Sequence, residues 1–104
     1  MDMLSYNVQT MIPRIQAYLD SQPVEKAWLF GSCSRGEETS DSDVDILVRY
    51  ENSEELSLFM IARMSYALQK LLNRKVDLVE EGRLLPFAEE NVNQDKILIY
   101  ERKG

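Results

Sequence analysis

Two apolar runs, separated by a polar stretch that opens on a glycine, decide most of what this chain can fold into. They lie in and around WLFGSCSRGEETSDSDVDILV, residues 28–48. The first, Val24 to Phe30, ends in Ala27, Trp28, Leu29 and Phe30 and reads as a buried strand. Gly31 breaks it. The second, Val44 to Tyr50, alternates strictly. Val44, Ile46 and Val48 point one way, and Asp43, Asp45 and Leu47 the other, which is the period of a strand. A third strand is expected over Lys75 to Glu80.

Helical spacing fills the gaps. Leu4, Val8, Met11, Ile12, Ile15, Tyr18 and Leu19 form one apolar stripe. Pro13 interrupts it, so two helical pieces are expected, ended by Ser21-Gln22-Pro23. Ser34 to Glu38 suggests a short helical turn. Asn52, with Glu55 three residues on, is expected to cap a helix running to about Asn73. Its main stripe is Leu56, Phe59, Met60, Met64, Ala67, Leu68 and Leu71. Leu58, Ile61 and Leu72 lie off that stripe, as partner contacts or as residues buried under the first helix. Pro86 opens a helix over Leu85 to Asp95, and Ile97 to Tyr100 is either a short last strand or the end of that helix. The alternation of helices and strands predicts an α/β sandwich with one sheet of three or four strands, a single domain over residues 1–104.

The chain has one cysteine, Cys33, and no histidine. That excludes an intrachain disulfide and a zinc site of the usual ligand types. It also removes the commonest general base, so any catalysis must run on carboxylates, metal ions, lysine or arginine. A net charge of −6, with scattered Lys and Arg, argues against general nucleic-acid binding. No signal-peptide pattern opens the sequence and no apolar run approaches the ~20 residues of a membrane span, so a cytoplasmic protein without membrane contact is expected.

Asp43 and Asp45 share one face of the second strand, roughly 7 Å apart along the backbone. Magnesium takes hard oxygen ligands, commonly a few carboxylates together with substrate phosphates. Two such ions can clamp an in-line displacement at phosphorus. An Asp-x-Asp alone is weak, since chance supplies one in about a quarter of chains this long. A Gly-Ser at one fixed upstream distance cuts that rate by about two further orders of magnitude. Asp77, in KVDLV, is an acid inside an apolar strand: either a solvent-facing edge residue or a third ligand. Asp41, in Ser40-Asp41-Ser42, is read as a turn former.

Gly31 allows close backbone approach to a ligand, and free N–H groups at a following helix start attract phosphate. Ser32 adds a hydroxyl, Gly36 permits a second bend, and Arg35 is either a phosphate contact or a surface residue. The Walker spacing and its lysine are absent, so this is no P-loop. Cys33 is read as an incidental small residue, because no histidine can activate it.

Gly31-Ser32, ten intervening residues and Asp43-Val44-Asp45 together resemble the signature of the DNA polymerase beta-like nucleotidyltransferase superfamily. With the later KVDLV strand, the likeness is to the minimal nucleotidyltransferases and runs from Val24 through Tyr100. The resemblance implies a mixed sheet flanked by helices. It implies that Asp43 and Asp45 bind two Mg2+ ions, that Asp77 is the third carboxylate, beside the attacking hydroxyl, and that Gly31 and Ser32 hold the triphosphate. It further implies transfer of AMP from ATP to a tyrosine of a HEPN-domain toxin, with this chain as antitoxin in a homo- or hetero-oligomer. Two other readings stay open: a non-catalytic module that neutralises its partner by binding, and nucleotidyl transfer to a small molecule.

Overall fold

The computed structural model describes residues 4–103. Its elements run α1 (Tyr6–Leu19), β1 (Val24–Phe30), α2 (Ser32–Arg35), β2 (Val44–Tyr50), α3 (Leu58–Leu72), β3 (Val76–Glu80), α4 (Pro86–Asp95) and β4 (Ile97–Glu101). The four strands form one mixed sheet in the order β3-β2-β1-β4. β1 is antiparallel to both β2 and β4. β2 and β3 are parallel, with α3 as the crossover such a pair requires.

The alternation in β2 sorts the two faces. Val44, Ile46 and Val48 join the larger core with Val8, Ile15 and Leu19 of α1 and Met64, Leu68 and Leu72 of α3. Leu47 points the other way and meets Trp28 of β1 and Val92 of α4. The sheet is therefore sandwiched, with α1 and α3 on one side and α4 on the other. Among the described residues, no helix is long and apolar enough to cross a membrane.

The helix starts differ from the sequence expectation. α1 is one helix rather than two pieces, with Pro13 inside it. Pro13 is exposed, so the buried stripe Val8, Met11, Ile15 and Leu19 runs unbroken past it. The Ser5 side chain accepts the Val8 N–H at 3.1 Å and fixes the start well before Thr10. α3 begins six residues beyond Asn52. Ser53–Glu55 is a separate 3-10 turn without a side-chain cap, and Ser57 accepts the Met60 N–H at 3.1 Å as the true cap. Phe59, expected on the main stripe, lies on the outside, 70% exposed, with Leu58 at 85%, because the buried stripe of Met64, Leu68 and Leu72 runs along the opposite side; Leu72 is core and Ile61 packs partly against it. Leu72 is thus no partner contact. At the far end Ile97–Glu101 is a strand, hydrogen-bonded to β1.

Candidate active site

β2 and β3 bring the acids together. Their parallel register sets Asp45 directly beside Asp77, and Val44 beside Val76. Paired residues on neighbouring strands share a face, so Asp77 stands on the side of the sheet that carries Asp45. Asp43 lies just ahead of β2 and is exposed, as is Asp77, whereas Asp45 is half-buried. Burial, then the charges of Asp77 and Asp43, push the Asp45 carboxyl above the usual range, and Arg35 draws it partly back. Asp45 therefore feels both neighbouring carboxylates, a repulsion that a bound cation would relieve.

Gly31 completes the arrangement from the end of β1. Its φ of +72° lies in the region that favours glycine, and a Cβ there would run into Oδ2 of Asp45. The bend thus lies against the carboxylates. α2 starts at once, at Ser32 rather than Ser34, and closes at Gly36 in the left-handed conformation. Its first N–H groups, those of Ser32 and Cys33, have no intrahelical acceptor, as at any helix start.

Arg35 is placed differently from a simple phosphate contact. Its Nε donates to Glu37 at 2.8 Å and its Nη1 to Asp95 at 2.7 Å, which ties α2 to the end of α4. It would have to release Glu37 or Asp95 to meet a ligand. Cys33 is fully buried, and its Sγ donates to the Asp43 carbonyl at 3.7 Å. Burial, with a smaller push from Glu38, raises its thiol to about 11, in keeping with an inert side chain.

Two residues that shape the site were not singled out from the sequence. Ser34, buried, donates its hydroxyl to the Gly31 carbonyl at 2.8 Å and so fixes the bend. A serine two residues after Gly-Ser signals this only weakly. Arg74 donates to the Thr39 carbonyl at 2.9 Å and the Ser42 carbonyl at 3.4 Å, and faces Glu38 at 3.9 Å. It anchors the loop that delivers Asp43 from more than 30 residues away, a link no local pattern carries. That loop is a turn, as expected around Asp41. Thr39 and Ser42 hold it, with the Thr39 N–H donating to the Ser42 hydroxyl at 2.8 Å.

Among the described residues, no three Asp, Glu, Cys or His side chains converge as a ready-made cage for one ion. The donor set nonetheless fits magnesium. That ion uses one or two carboxylates and takes its remaining ligands from phosphate and water, and all the donors here are hard oxygens.

The chain matches the nucleotidyltransferase domain over residues 12–99 and belongs to that family. A Methanocaldococcus jannaschii protein assigned as a protein adenylyltransferase is 32% identical over 81 residues, spanning 77% of this chain and 81% of its own. A solved structure of a minimal nucleotidyltransferase superposes with a TM-score of 0.73 at 33% identity, covering 93% of this chain and 95% of that one. The same fold, at a TM-score of 0.69 and 21% identity over 91% of this chain and 73% of the other, occurs in a complex of a tri-AMPylated Shewanella oneidensis HEPN toxin with its antitoxin. The mixed sheet flanked by helices is thus the nucleotidyltransferase fold.

Proposed function

We propose that this chain transfers AMP from ATP to a hydroxyl of a protein partner, a tyrosine of a HEPN-domain toxin, and acts as the cytoplasmic antitoxin of that pair. The observation that carries the reading is the register: Asp45 stands beside Asp77 with the Gly31 bend against its carboxylate. The relative assigned as a protein adenylyltransferase and the complex holding an AMPylated toxin support the acceptor class.

Each residue has a task in that reaction. The N–H groups of Ser32 and Cys33 and the Ser32 hydroxyl bind phosphate oxygens of the leaving pyrophosphate, which the missing Cβ of Gly31 lets approach. Asp43, Asp45 and Asp77 would hold two Mg2+ ions, which supply charge neutralisation at the phosphates and a lowered pKa for the attacking hydroxyl. Asp77, exposed on the edge strand β3, would be the carboxylate beside the attacking hydroxyl. The acceptor oxygen bonds to the α-phosphorus, the bond to pyrophosphate breaks, and the hydroxyl proton is lost to solvent. Positioning and fixed electrostatics supply most of the rate, so no histidine is needed.

Incubation with α-labelled ATP, magnesium and the protein encoded by the neighbouring gene tests the proposal. Label is expected on that protein, reduced by about two orders of magnitude or more in Asp43→Asn and in Asp45→Asn. Label on a metabolite would move the acceptor to a small molecule. No label, with wild type and variants neutralising the partner equally, would make the chain a binding module.

A further inference from the structure

The acids of this chain avoid one layer of the fold. The sequence holds 18 Asp and Glu against 12 Lys and Arg, yet neither α1, of 14 residues, nor α3, of 15, contains a single acid. Their charged residues are Arg14, Arg63 and Lys70. None of the three has a carboxylate within 4.0 Å among the described residues, and Arg14 donates to the Leu71 carbonyl at 2.5 Å instead; elsewhere Lys26, Arg35, Arg49, Arg74, Arg83 and Arg102 are paired, while Lys75, Lys96 and Lys103 are not. Arg63 lies over the Phe59 ring at 5.1 Å and Lys70 over Tyr66 at 5.4 Å. Both rings are well exposed, at 70% and 61%, and Leu58, at the start of α3, is 85% exposed. Between the two helices runs a groove of about 750 Å³ lined by Arg14, Ala17, Tyr18, Ala67, Lys70 and Leu71 among others.

We propose that this α1–α3 face is a protein-docking surface and that its occupant is an acidic amphipathic helix of a partner protein. Exposed aromatic and aliphatic side chains give a helix its apolar anchors, and a groove between two helices matches the shape of helix-in-groove recognition. Cations without a carboxylate partner, on two helices that hold no acids, select acidic flanks and steer their approach. Three cations among several large apolar side chains suit a protein helix better than a phosphate backbone, which calls for a denser basic stripe. The face lies across the sheet from Asp43, Asp45 and Asp77, because α1 and α3 pack on the Val44, Ile46 and Val48 side. A helix held there leaves the carboxylates open, so the surface does not depend on the nucleotidyl-transfer reading.

The test is an amide NMR titration of the intact chain with a synthetic Glu- and Leu-rich amphipathic helix of about 18 residues, five turns. A scrambled peptide of the same composition serves as control. The expected result is saturable shifts confined to α1 and α3, weakened about tenfold or more in Arg63→Glu/Lys70→Glu and absent with the scrambled peptide. Both substituted positions are exposed, and the dispersion of the spectrum reports whether each variant is folded. A second variant, Leu58→Ser/Phe59→Ser, should weaken binding without any change of charge. Shifts on α4 or around the carboxylates, no saturation, or equal binding by the charge-reversed variant would overturn the proposal. So would tighter binding of single-stranded RNA or phosphatidylserine vesicles at this face, or self-association of the chain through it.

Discussion

Gly31 and Cys33 are two residues apart and show opposite relations to the site. Gly31 touches the chemistry through what it lacks, since any side chain at φ +72° would press on Asp45. Gly31→Ala should therefore lower stability by about 1–2 kcal/mol through backbone strain and contact with the carboxylate, read as a lower urea midpoint. Cys33 lies inward, with its thiol raised to about 11 by burial. The folded state then holds its proton more tightly than the unfolded chain does. The stability this contributes is complete below the unfolded thiol pKa near 9 and is lost as pH rises toward about 11. Native protein at pH 8 should resist iodoacetamide and react once unfolded in urea; rapid alkylation of the folded chain would contradict this. The inertness of Cys33 was legible from the missing histidine. The contacts of Arg35 and Arg74 were not, because Asp95 and Thr39 lie far off in sequence and meet them only when α4 and the loop before β2 are in place.

At the scale of elements, β1, β2, β3 and the α4 start at Pro86 were legible, whereas β4 was open between strand and helix end and the starts of α1, α2 and α3 were displaced. A strand with one apolar face against the core shows in its alternation, and β2 kept the predicted sides throughout. A helix start depends on which of several capping residues the tertiary packing selects. Asn52 with Glu55 satisfies the local pattern, yet Ser57 has the cap hydrogen bond. Pro13 read as a break because its position on the solvent side of α1 is set by packing against the sheet. The α3 start can be measured. Ser57→Ala should destabilise by about 1 kcal/mol, the usual cost of a lost N-cap, while Asn52→Ala should be nearly neutral. Thermal melts of the two variants decide it, and the reverse order would return the start of α3 to Asn52.

Across the whole molecule the sheet divides the labour. One side buries the larger core beneath α1 and α3, and the other carries the carboxylates, the glycine bend and α4. The central claim is that these acids and the bend form one Mg·ATP site, and calorimetric titration with a non-hydrolysable ATP analogue in magnesium tests it most directly. Wild type should bind close to one equivalent, and Asp45→Asn/Asp77→Asn should weaken binding about tenfold or more while remaining folded. Equal binding by the two proteins, or no binding by wild type with and without magnesium, would contradict it.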